Sequence, residues 1–152
     1  MKKIIITLAI ALVASISMFA QAPKMAVGVD YNYSSKGGNS GIGLQLEYQL
    51  FEHLRVSPEF IYSFEKGDHG HFTNVNINLQ YTIGTGSGFT VYPLAGFAYV
   101  NAAGDVNKCG ANVGCGAEYH FSSKFAIYTE ETFQMVSHAT RFITGVGVKY
   151  SF

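Results

Sequence analysis

Apolar and polar residues alternate with a period of two along most of the chain after residue 24. The clearest stretch runs from Asn74 to Ile83, where Val, Ile, Leu, Tyr and Ile alternate with Asn, Asn, Asn, Gln and Thr. Side chains of a β-strand point alternately to its two faces, whereas a helix would mix both sets on one surface. The pattern therefore predicts a strand with one apolar and one polar face.

Eight segments of about ten residues share this alternation, with turn-forming residues between them. The links alternate between brief ones at residues 51–53, 84–88 and 121–124 and longer ones at 34–40, 65–72 and 101–108. This order predicts an all-β, antiparallel, up-and-down barrel with a short-turn end and a long-loop end. The predicted strands are residues 25–33, 41–50, 54–64, 74–83, 89–99, 110–120, 125–135 and 141–152.

Two residues do not fit the strands in which they lie. Pro93 has no N–H to donate to a neighbouring strand, so we expect a bulge or a local defect there. Glu131 falls on the apolar face near the middle of its strand. Either a bulge shifts the alternation at that point, or another group that the sequence does not reveal stabilises the carboxylate.

The N-terminus has the layout of a secretory signal peptide. Lys2 and Lys3 precede an apolar run over residues 4–19, which small and polar residues follow. The run is short for a spanning helix. We expect residues 1–20 to be removed, with cleavage after Ala20 or Ala22, and residues 23–152 to form the barrel.

Composition indicates which face of the strands meets water. Only 13% of residues are charged, Tyr and Phe number 10 and 12, and no second apolar run is long enough for a spanning helix. The polar set is rich in Gly, Asn and Gln and poor in Lys, whereas aromatic residues lie near both ends of the apolar faces and bracket an aliphatic band. A soluble barrel would turn its apolar face inward, but two aromatic belts are typical of two membrane interfaces. We therefore expect a transmembrane barrel with a polar lumen.

The polar faces carry charged residues of both signs. Because buried charges must be paired and hydrogen-bonded, we interpret them as a structural network that fills a narrow lumen. The alternative is a gate whose ion pairs rearrange to pass small ions. The predicted lumen charges are Asp30, Glu47, Arg55, Glu59, Glu118, Glu130, Arg141 and Lys149.

The signal peptide, the eight alternating strands and the final Tyr150-Ser151-Phe152 resemble the small outer-membrane barrels of the OmpA/OmpX type in Gram-negative bacteria. The resemblance implies a location in the cell outer membrane and contact with its lipid and lipopolysaccharide. In that family a terminal aromatic preceded by alternating apolar residues is recognised by the barrel-assembly machinery, a role that Val148, Tyr150 and Phe152 fit. We expect a monomer with a structural or porin-like role.

Candidate chemistry is weak. Some outer-membrane barrels modify lipid A with a His-x-Ser pattern, where this chain has His138-Ala139-Thr140, with Ser137 before it. That departure favours a non-enzyme over a lipid A-modifying enzyme. A third alternative, a surface adhesin, would need exposed, protruding loops, and the loop at 65–72 is the segment to test, although the long-side loops look shorter than those of the OmpX type.

Binding of metals and nucleic acids is also disfavoured. Asp68, His69 and His71 are too few ligands for a metal site.

Cys109 and Cys115 would stand roughly 20 Å apart in one strand, so we expect free thiols, with a bridge only if the strand begins after Cys109. Without Lys2 and Lys3, eight basic residues face ten acidic ones, which does not suit nucleic acid. We expect no metal and no cofactor.

Overall fold

The computed structural model describes residues 25–64, 71–102, 106–137 and 140–152. In this part of the chain no helix is long and apolar enough to cross a membrane. The described residues form strand segments joined by turns. The segments are β1 (Met25–Ser34), β2 (Ser40–Gln49), β3 (Leu54–Ser63), β4 (Phe72–Tyr81), β5 (Ile83–Gly84), β6 (Phe89–Ala102), β7 (Val106–His120), β8 (Phe125–Val136) and β9 (Arg141–Ser151).

The strands form one closed antiparallel ring. Each segment except the β4–β5 pair is bonded to its neighbour in sequence, β4 pairs with β6, and β1 pairs with β9. Because β5 continues β4 against the same partner strand, the nine segments make eight barrel strands. The ring confirms the predicted eight-stranded barrel.

Pairing with β6 is interrupted at Tyr81 and Thr82, which fall opposite Pro93 and Tyr92. The paired residues on the two sides of this interruption keep one register, so no residue is inserted. Thr82 occupies the gap between β4 and β5, and its N–H donates to the carbonyl oxygen of His53 at 2.7 Å, on the side of β3. On its other side Pro93 pairs with Cys115 in an unbroken ladder. The expected irregularity is therefore a local defect and not a bulge.

Several predicted loop boundaries were wrong, most of them by one residue. Residues 101–108 were expected to be loop, but Asn101 pairs with Asn107 in the β6–β7 ladder, and these strands have 14 and 15 residues. Phe72, also assigned to a loop, begins β4. Backbone pairing continues past the apolar band because it does not require alternating side chains, and only the alternation was visible in the sequence.

The strands are strongly staggered. The stagger can be measured by starting at a residue of β1 and moving from each residue to its paired residue on the next strand. After one circuit of the barrel, this path returns to the first strand ten residues beyond its starting point. Eight strands with such a stagger enclose a space just wide enough for side chains. The path runs through Met25, Tyr48, Val56, Leu79, Ala95, Val113, Phe133, Phe142 and, by its N–H bond to Phe142, Ser35.

Burial shows which face is inside. On β4 the side chain of Ile77 is 54% exposed, whereas Asn76 and Asn78 are 1% and 0% exposed. The other strands also turn amides, carboxylates and small residues inward and most of their aliphatic and aromatic side chains outward, although Tyr92, Tyr128 and a few aliphatic residues are buried inside. A water-soluble barrel would invert this, so the exterior suits hydrocarbon.

Candidate functional site: the barrel lumen

Period-two alternation places all eight predicted charges inside the barrel, where each is at most 8% exposed. They do not form one network. Four of them join in ion pairs near the short-turn end, whereas the other four have uncharged partners or aromatic contacts. The structure therefore divides the predicted site into separate layers along the barrel axis.

The first layer is an ion-pair quartet of Glu47, Arg55, Glu118 and Lys149. The guanidinium of Arg55 donates to both carboxylate oxygens of Glu118 at 3.0 Å each, and lies 3.2 Å from Glu47. The ammonium of Lys149 contacts Glu118 at 2.6 Å and also binds Glu47. Each cation thus meets both carboxylates, and the formal charges of the quartet cancel.

Two buried tyrosines support the cations of the quartet. The Arg55 guanidinium lies 4.5 Å from the centre of the Tyr92 ring, and the Lys149 ammonium lies 4.7 Å from that of Tyr128. The Tyr92 ring occupies the space beside Gly116, where an added Cβ would lie 2.4 Å from it. The sequence analysis did not identify either tyrosine as a site residue. The glycines on the polar faces were a usable indication, because a glycine leaves space inside the barrel for a large side chain on another strand.

Three further carboxyls lie deeper in the lumen. Asp30, Glu59 and Glu130 form no salt bridge with a described cation, and their partners are neutral donors. The hydrogen bonds come from Tyr128 (2.5 Å) and Asn32 to Asp30, from Asn76 (2.8 Å) to Glu59, and from Gln80 (3.0 Å), Tyr92 (3.1 Å) and Gln45 (3.4 Å) to Glu130. We call these residues the central carboxyls.

An amide layer follows toward the long-loop end. Its side chains bond mainly to one another: Gln134 donates to Asn112 at 3.1 Å and to Asn76 at 3.2 Å, and Asn112 donates to Asn78 at 3.1 Å. Amides suit this position because each carries both donors and acceptors. The members of the layer are Asn74, Asn76, Asn78, Asn112 and Gln134.

An apolar cap of Phe72, Ala98, Val100 and Val136 lies at the long-loop end of the lumen. The guanidinium of Arg141 lies 4.3 Å from the centre of the Phe72 ring. The sequence analysis placed Arg141 in one charge network with the inward carboxylates, but among the described residues Arg141 forms no ion pair with them. Parity placed the side chain on the correct face, but Arg141 begins β9 at the long-loop end, whereas Lys149 of the quartet lies near the other end of the same strand.

Two cavities border these layers. An open mouth of about 610 Å³ at the short-turn end reaches inward to Glu47, Arg55, Glu118 and Lys149. Among the central carboxyls lies a cavity of about 10 Å³, with room for roughly one water molecule. The quartet therefore forms the inner wall of the mouth, with tightly packed side chains beyond it.

The structure provides few observations on the other predicted sites. His138, Asp68 and His69 lie outside the described residues, and Ser137 and Thr140 are exposed. Cys109 and Cys115 are free and exposed, which confirms the expected thiols. Over the described parts of the chain, no group of three His, Cys, Asp or Glu side chains is arranged to hold a metal ion.

A closed antiparallel barrel with an apolar exterior and a polar, filled lumen defines the class of transmembrane β-barrels. The family model of the outer membrane protein beta-barrel domain matches residues 6–152, and the chain belongs to this family. This confirms the resemblance seen in the sequence. Membership implies an outer-membrane protein.

Solved structures show the same fold at low identity. The N-terminal β-barrel domain of Pseudomonas aeruginosa OprF is 20% identical, with a TM-score of 0.71, over 87% of this chain and 100% of that one. Neisserial surface protein A is 14% identical, with a TM-score of 0.66, over 85% and 96%. Ail, the attachment invasion locus protein of Yersinia pestis, is 16% identical, with a TM-score of 0.59, over 85% and 97%. No curated protein matches the chain significantly.

Proposed function

We propose that the protein is a structural barrel of the outer membrane whose lumen is closed and does not conduct. The observation that carries this proposal is the ion-pair quartet, in which Arg55 and Lys149 on two strands converge on Glu118 of a third. Opening a path there would separate buried opposite charges, which costs several kcal/mol when one partner is left behind.

The layers beyond the quartet support a closed lumen. The amide side chains of β4, β7 and β8 bond to one another inside the lumen, and the four side chains of the apolar cap themselves offer an ion no polar ligand in place of its water. An ion would have to pass the quartet, the amides and the cap in succession. On this proposal the protein contacts outer-membrane lipid and lipopolysaccharide, is inserted by the barrel-assembly machinery and has no catalytic centre.

A small gated ion channel is the second candidate, and the open mouth favours it. The mouth of about 610 Å³ leads solvent to the quartet. Glu118 already has two cation partners, Arg55 and Lys149, so one ion pair can be exchanged for another without leaving the carboxylate alone. A rearrangement of this kind would turn the inner wall of the mouth into a gate.

Planar-bilayer recordings separate the two candidates. The refolded protein and the Arg55→Ala variant are measured beside Lys108→Ala, which removes a cation that does not face the quartet. A closed structural barrel gives no stable conductance steps in any of the three. Stable steps in the native protein that Arg55→Ala abolishes or enlarges, while Lys108→Ala leaves them unchanged, would establish the channel and refute the closed barrel.

A further inference from the structure

Glu131 points out of the barrel wall. It lies on β8 directly between Cys115 on β7 and Thr144 on β9, and both ladders pass through it without a bulge. The hydroxyl of Thr144 donates to one carboxyl oxygen of Glu131 at 2.8 Å. This answers the question raised by the sequence: the alternation does not shift, and a neighbouring hydroxyl stabilises an outward carboxyl.

The position is deep in the apolar band. Cys115 pairs with Pro93 on its other side, and Pro93 lies on β6 midway between the outward aromatic residues Phe89 and Phe97. An ionisable group facing lipid at such a depth is unfavourable and rare. One hydrogen bond from Thr144 leaves the second carboxyl oxygen of Glu131 without a described partner.

A shallow groove lies beside this carboxyl. Its volume is about 380 Å³, and Glu131 and Val91 line it together with four small outward side chains, those of Pro93, Cys115, Ala117 and Thr129. Within a membrane, small side chains allow two walls to approach closely, and polar side chains then bond across the contact. We call Pro93, Cys115, Ala117, Thr129, Glu131 and Thr144 the Glu131 patch.

We propose that the Glu131 patch is the surface through which two copies of this chain pair in the membrane, with the two Glu131 carboxyls hydrogen-bonded to each other. Two copies inserted in the same direction are related by a two-fold axis along the membrane normal, so each residue near the axis meets its own counterpart at the same depth. A different protein could bond to Glu131 only if it also carried a lipid-facing polar group at the same depth in the membrane.

The chemistry of the patch is self-complementary. In hydrocarbon a carboxyl is far less costly as the neutral acid, and a neutral carboxyl both donates and accepts a hydrogen bond. Two such groups satisfy each other, while the Thr144 hydroxyl retains its bond to Glu131. The sequence analysis expected a monomer, and this inference replaces that expectation. It requires insertion of the barrel in a membrane but does not depend on whether the lumen conducts.

Disulfide cross-linking in lipid vesicles tests the pairing, because Cys115 is free, exposed and adjacent to Glu131. The full chain carrying Cys109→Ser is refolded, oxidised with copper phenanthroline and run on a non-reducing gel. The matched control replaces both cysteines with serine and introduces Ile42→Cys, an equally outward position on β2. Heat-modifiable migration shows that each variant is folded.

We expect a covalent dimer through Cys115, at least tenfold weaker cross-linking at Ile42→Cys, and a loss of most of the Cys115 dimer when Glu131→Leu is added. Equal cross-linking at both positions would mean random collision, and absence of a Cys115 dimer would mean that lipid or another protein covers the patch. Either result overturns the proposal. A Cys115 dimer that Glu131→Leu leaves unchanged overturns the carboxyl pairing.

Discussion

Arg55 and Glu118, 63 residues apart in the chain, are joined across the lumen by two hydrogen bonds of 3.0 Å. Arg55 belongs to β3 and Glu118 to β7, so this contact connects the two halves of the barrel through its interior. Lys149 on β9 and Glu47 on β2 complete the connection. Removal of one partner of the quartet would therefore leave a buried charge without its counterion.

Arg55→Met should lower the free energy of unfolding by about 3–5 kcal/mol, because two buried carboxylates then share one cation. Adding Glu118→Leu should recover much of this loss, since Glu47 and Lys149 remain as a balanced pair. Urea titration of protein folded into lipid vesicles, read by heat-modifiable gel migration, measures both effects. Lys108→Met serves as the control, and an Arg55→Met loss no larger than the control loss would contradict the role of the quartet.

Gly116→Ala should destabilise the barrel by about 1–3 kcal/mol, because the new methyl group would lie 2.4 Å from the Tyr92 ring and the ring must move. The bond from Tyr92 to Glu130 at 3.1 Å would then be strained or lost. Gly84→Ala is the matched control, since nothing lies within 4 Å of a Cβ built there. The same urea titration compares the two variants, and equal midpoints would show that Tyr92 is not confined by Gly116.

Val29→Arg should cost about 2–4 kcal/mol in a bilayer, because Val29 is outward and lies in the middle of β1. Ser87→Arg introduces the same side chain into an exposed turn and should change the stability by less than about 0.5 kcal/mol. Folding into vesicles at increasing urea concentration provides the comparison. Equal stability of the two variants would indicate that the apolar face does not meet lipid.

Cys109 and Cys115 should differ in their reaction with a membrane-impermeant maleimide. They share the outward face of β7, but Cys115 lies in the apolar band, whereas Cys109 lies roughly 20 Å farther along the strand toward the long-loop end. In vesicles we expect Cys115 to react at least tenfold more slowly than Cys109. In urea the two rates should converge, and mass spectrometry of single-cysteine variants separates them. Similar rates in vesicles would refute the inferred depth.

Much of the fold could be predicted because alternation is a local property. Period two fixes the face of each side chain, so Arg55, Glu118 and Arg141 were all correctly placed inside. Their partners could not be predicted, because those depend on the stagger between strands, which turns and pairing set together. For that reason Arg55 meets Glu118, whereas Arg141 lies near the other end against Phe72. The tips of β6 and β7 were missed because beyond the apolar band no alternation marks a strand.

The seam between β1 and β9 has a consequence for the order of assembly. It joins the two ends of the barrel sequence, from Ala26 against Ser151 to Ser34 against Ile143. Until the last strand is in place, every partial sheet has two open edges that another chain can pair with. The pairing of β1 with β9, which joins residues far apart in the sequence, therefore removes the last unpaired edges. Until β9 is available, a nascent chain must be shielded from pairing with other chains.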